Sequence, residues 1–160
     1  MKRKALLGAG IVAASWLLAG CEAIFTGATV ETRALEAEAG GGFRPVTFRL
    51  EPEMSPVALN FRAELGNHPE EAGKWNAYAA TLTRDGATVA SGSFNVNYTG
   101  TVELPPANPD LVMVMLTTPV ENGGEYQLTI RPLGPVEVTL QNPRVELRRN
   151  VELPAGGRQG

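Results

Sequence analysis

Between Val57 and Leu65 the chain alternates without a break. Val57, Leu59, Phe61, Ala63 and Leu65 take one side, and Ala58, Asn60, Arg62 and Glu64 take the other. A period of two places successive side chains on opposite faces of an extended backbone, so the stretch reads as a half-buried β-strand. The same period returns in Val46-Phe48-Leu50, Tyr78-Ala80-Leu82, Phe94-Val96-Tyr98, Tyr126-Leu128-Ile130, Val136-Val138-Leu140 and Val145-Leu147. No segment of helical period occurs after residue 43. Asp85-Gly86 and Asn122-Gly123-Gly124 supply turn chemistry, because these residues tolerate the positive φ angles of tight turns. Pro52 to Pro56 and Pro105 to Pro109 interrupt the pattern, since proline cannot donate to a central ladder.

Two stretches are special cases. Leu111 to Leu116 is a continuous apolar run of Leu, Val, Met, Val, Met and Leu, which predicts a strand buried on both faces, with Met113 and Met115 as core filling. Gly92 marks a break or bulge in the strand that carries Val89 and Phe94, and Val102 with Leu104 reads as a further short strand. The expectation is an all-β, antiparallel β-sandwich of about eight strands over residues 43–152. Its hairpins, Tyr78-x-Ala80-x-Leu82-x-x-Asp85-Gly86 and Gly124-Glu125-Tyr126-x-Leu128-x-Ile130, resemble those of jelly-roll accessory domains of secreted bacterial proteins. That resemblance transfers no functional residue.

The start of the chain carries a different signal. Met1-Lys2-Arg3-Lys4 is cationic, and Ala5 to Leu17 is uncharged and mostly apolar. This is the order of a secretory signal peptide, and the apolar run is shorter than the roughly 20 residues of a membrane span. Leu18-Ala19-Gly20-Cys21 follows. The tetrapeptide resembles the lipobox of bacterial lipoproteins. The resemblance implies a diacylglyceryl group on the Cys21 thiol, cleavage before Cys21 and a further acyl chain on the new amine. Two or more chains hold a protein on a bilayer, where one does so only marginally. Cys21 is the sole cysteine, so no internal disulfide forms, and lipidation accounts for an otherwise unpaired thiol.

The resulting division is a leader with its signal helix over 1–20, a lipidated tether over 21–42, the sandwich over 43–152 and a disordered tail over 153–160. As a flexible chain of about 20 residues the tether would reach roughly 25 Å. Thr29 to Ala39 also admits a first strand or a short helix.

Composition narrows the function. Removing Lys2, Arg3 and Lys4 with the leader takes the formal charge from −3 to about −6. A mildly acidic domain lacks the basic face that nucleic acid requires. His68 is the only histidine, in the loop Asn67-His68-Pro69-Glu70-Glu71, and reads as an exposed bystander rather than the base of a triad. Zinc ligation by histidine and cysteine fails on numbers. Asp85 and Asp110 are the only aspartates and lie far apart, which does not make a calcium loop. The adjacent Glu70 and Glu71 read as solvated. Neither catalytic residues nor metal or cofactor ligands are expected.

Trp75 and Tyr78, where a polar loop enters a strand, are the candidate ligand-binding aromatics. Arg144, Arg148 and Arg149 form a basic cluster with an anionic lipid or a protein as its candidate contact. The sequence therefore predicts a non-enzymatic envelope lipoprotein, anchored in the bilayer through acylated Cys21, whose sandwich binds or supports another envelope protein. The alternative is a carbohydrate-binding module for peptidoglycan or polysaccharide. Glu22 after the cysteine favours the outer membrane over the inner, with the domain facing the periplasm or the surface.

Overall fold

The computed structural model describes residues 26–98 and 110–153. They form eight strands: β1 (Ala28–Ala34), β2 (Phe43–Leu50), β3 (Val57–Leu65), β4 (Trp75–Arg84), β5 (Ala87–Asn97), β6 (Asp110–Thr118), β7 (Gly124–Pro132) and β8 (Leu140–Arg149). One sheet has the order β1-β8-β3-β6 and the other β2-β7-β4-β5. Every pairing is antiparallel. First pairs with last, second with seventh, third with sixth and fourth with fifth. The chain is thus one long antiparallel hairpin wrapped into two sheets, which is the jelly-roll arrangement.

The innermost turn of that hairpin is Asp85-Gly86, with φ of 50° and 79°. Positive φ at both central residues is what a two-residue turn between twisted strands needs. Alternation then sends Phe61 from one sheet, and Phe43, Tyr78 and Phe94 from the other, into a shared centre. The ring centroids of Phe61 and Phe94 lie 5.1 Å apart, and those of Tyr78 and Phe94 lie 5.3 Å apart. Such spacing is the favourable range for aromatic pairs. Leu50, Leu59, Leu82, Leu128, Ile130 and Leu147 close the core around them.

Three sequence expectations change. Ala28–Ala34 is not tether. It pairs with β8 from Ala28↔Arg149 to Ala34↔Arg144, and Leu35 beyond it is buried, with its N–H donating to the Pro143 carbonyl at 2.8 Å. The sandwich therefore begins near residue 28 rather than 43. β1 was obscure because it is an edge strand carrying Glu31 and Arg33, and all of its residues are at least partly exposed. The apolar run in β6 is not buried on both faces. β6 is also an edge, and Val112 and Val114 on its outer face are half-buried. Finally, Val136 to Thr139 is loop rather than strand, although Val138 is buried. The expected strand at Val102 and Leu104 falls outside the described residues.

Gly92 does not break β5, which runs unbroken past it. The glycine is instead where the two sheets come closest on this side. A Cβ at Gly92 would run into the carbonyl oxygen of Met115 in β6. Met115 is the extra residue where the β3–β6 register shifts between Leu59 and Asn60.

Candidate functional surfaces

The two aromatics singled out from the sequence do not form a site. Tyr78 points into the core and is 1% exposed. Burial raises its phenol pKa, and Asn76 Nδ2 donates to its oxygen at 3.2 Å. Trp75 is 54% exposed, at the start of β4. Both readings followed from nearness in sequence. In a strand an odd spacing of three puts the side chains on opposite faces.

Trp75 shares the outer face of its sheet with Ala77, Ala79 and Thr81 of β4. On β5 the partners of these four are Asn97, Asn95, Ser93 and Ser91. On β7, Arg131 and Thr129 lie opposite Ala79 and Thr81. The part of this face nearest Trp75 carries hydroxyls, amides and methyls, with Arg131 beside Ala79.

The outer face of the other sheet carries a network of paired charges. Arg62 reaches Glu146 at 3.2 Å and Asp110 at 3.5 Å. Arg144 pairs with Asp110, and Arg148 pairs with Glu146 at 3.2 Å. Glu146 also accepts from the Thr29 hydroxyl at 2.7 Å. Burial pushes the Glu146 carboxyl up. The Thr29 bond, the guanidinium groups of Arg62 and Arg148 and the Asn60 amide outweigh it, so the net pKa lies below the ordinary value. The basic cluster expected of Arg144, Arg148 and Arg149 is therefore not a bare cationic patch. Arg144 and Arg148 alternate with acids, and exposed Arg149, one residue on from Arg148, points to the other face of β8.

A third cluster lies in the loop before β4. The ligand-type atoms of His68, Glu70 and Glu71 all fall within 4.8 Å of one another. His68 Nδ1 and Glu70 Oε1 are 3.1 Å apart. Glu71, read as solvated, is instead buried, and both of its oxygens are engaged by Thr139. The N–H donates at 2.9 Å and the hydroxyl at 2.5 Å. Burial raises the Glu71 pKa, but the Thr139 bonds, with help from His68 and Lys74, bring it below the ordinary value. This carboxylate ties the β7–β8 connection to the β3–β4 loop.

Comparison with known proteins finds no match: no family model, no curated protein and no solved structure matches the chain. The surfaces therefore carry the functional reading by their own chemistry. Cys21, the predicted lipidation residue, lies outside the described residues.

Proposed function

We propose that the protein is a lipid-anchored, non-enzymatic module of the cell envelope whose jelly roll binds or supports another envelope protein. The observation that carries the anchor is Cys21 itself, a lone cysteine closing a lipobox-like tetrapeptide after a basic and apolar leader. The position of β1 refines it. Thr26, the first described residue, comes only five residue steps after Cys21. Fully extended, they span at most about 17 Å. Acylation at Cys21 holds the domain close to the bilayer, by the corner where Thr26 meets β8. There Arg148 donates to the Thr26 carbonyl at 3.0 Å. The non-enzymatic reading is supported by three buried polar side chains, Glu71, Asn76 and Glu146, each of which bonds to the protein's own backbone or side chains.

Fatty-acid labelling and membrane fractionation test the anchor. The chain should incorporate label and follow the outer membrane, and Cys21→Ser should lose both. Unchanged labelling of the variant would sink it.

A carbohydrate-binding role is the second reading, favoured by exposed Trp75 beside asparagine, serine and threonine side chains on its sheet face. Aromatic faces and amide or hydroxyl groups suit sugar rings. Peptidoglycan pull-down that is lost with Trp75→Ala would select this reading over protein binding.

A further inference from the structure

We infer that β5 is a homodimerisation edge, pairing antiparallel with the β5 of a second copy to join two four-stranded sheets into one of eight strands. Each sheet ends in two edge strands, and edges expose unpaired backbone groups that natural proteins guard with charge, proline or bulges. Three of the four edges here carry charge. β1 carries Glu31 and Arg33 and a register shift between Thr29 and Glu31. β2 carries Arg44, Pro45 and Arg49. β6 begins at Asp110 and is bulged at Met115. β5 has only a register shift, at Val89, where Leu82 pairs with Ala90 and Thr83 with Thr88. It is the longest strand at 11 residues, and from Gly86 to Tyr98 the sequence contains no charge and no proline.

β6 flanks this edge but does not pair with it, so β5 is the end strand of its sheet. Met115 approaches Gly92 from the direction of its missing Cβ, perpendicular to the sheet. A further strand would add in the plane of the sheet. Along this flank runs a groove of about 590 Å³, lined by Thr88–Ser93 of β5 and Val114–Pro119. An added strand would bond its main chain to β5 and place alternate side chains in the groove, the division of labour in strand addition.

A second copy suits these features better than a charged peptide. The groove lining is uncharged, and so is β5. The inward positions of β5 near the groove, Ala90 and Gly92, are small enough for a narrow seam. Its outward positions, Ser91, Ser93 and Asn95, supply hydroxyls and an amide that bond across a two-fold axis, with no like charges opposed. Antiparallel self-pairing of one strand is a closed, isologous contact, so it stops at the dimer. The pairing does not depend on acylation at Cys21.

Sedimentation velocity on the chain from residue 21 onward, with Cys21→Ser and every described strand present, tests this. It should show a monomer–dimer equilibrium. Ser91→Lys with Ser93→Lys, both exposed on the outer face, should raise the dissociation constant at least roughly tenfold, by opposing like charges, with the melting temperature little changed. Thr47→Lys on the far edge should leave the dimer intact. Amides of β5 should exchange more slowly as concentration rises. A chain that stays monomeric up to about 1 mM, the weak end of specific affinity, overturns the proposal. So does a dimer indifferent to the two lysines.

Discussion

The buried amide of Asn76 bonds the backbone of Val138 in both directions. Its Oδ1 accepts the Val138 N–H at 2.8 Å, and its Nδ2 donates to the Val138 carbonyl at 2.8 Å. Oδ1 also accepts the Glu137 N–H at 2.7 Å. One side chain thus supplies the pairing that the β7–β8 connection lacks, since Val136 to Thr139 is not in a sheet. Glu71 holds the next residue, Thr139. The two side chains let Val138 enter the core without leaving backbone groups orphaned.

Asn76→Ala should therefore cost about 3 kcal/mol, because it strands buried partners as well as losing bonds. Asn76→Asp should not rescue it: the carboxylate keeps the two acceptors but cannot donate to Val138, and it buries a charge. Thermal melts of the two variants check this. Stability close to wild type in either would show that the loop is held by packing alone.

Stability should fall in acid through Glu71 and Glu146. Both have pKa values lowered from the ordinary 4.5 in the folded chain. Above about 4.5 both states are ionised and the contribution is complete. As pH drops below that, the unfolded chain takes up protons first, and the contribution is lost through the folded pKa. Glu71→Gln and Glu146→Gln should each flatten the acid limb of stability against pH, read by chemical denaturation from pH 7 to about 3. An acid limb as steep as wild type in both would assign it to other carboxylates.

The edge position of β6 makes Val112 and Met113 unequal. Val112 faces outward opposite Arg62, whereas Met113 lies opposite Phe61 and packs on the core. Val112→Asp should cost under about 1 kcal/mol, helped by the guanidinium beside it, and Met113→Asp at least about 2 kcal/mol more. Arg62→Ala should cost about 2 kcal/mol, since it removes a partner from nearly buried Glu146. Denaturant midpoints rank the three. Equal loss for Val112→Asp and Met113→Asp would mean that the outer face of β6 is covered.

The domain should need its first strand. Leu35→Ala, at a residue 6% exposed, should cost about 3 kcal/mol. A chain starting at Phe43 lacks β1 as well and leaves β8 a bare edge. It should melt at lower temperature and less cooperatively than one starting at residue 21. Identical melts would return Ala28–Ala34 to the tether.

The sequence alone determined the strand class and most strand positions. The period-two pattern reports which side chains face the core, and β4 and β7 each bury one face, whereas β3 is buried on both sides from Val57 to Phe61. Asp85-Gly86 marked its turn because few residue pairs accept positive φ twice. The proposed lipobox-like leader would also be a local, linear signal, one that needs no fold to be read. Tertiary structure decided what depends on distant partners. β1 and β6 are edges because of the order in which strands meet, which leaves little trace in either strand's own residues. Trp75 and Tyr78 part company across a sheet. Glu71 looks solvated in its loop and becomes a strut because Thr139, 68 residues later, folds onto it. Asn76 likewise acquires its role from Val138. Hydrophobic alternation is a short-range property of one strand; strand order, edges and polar struts arise from pairing between segments far apart in the chain, where a single sequence carries no period to read.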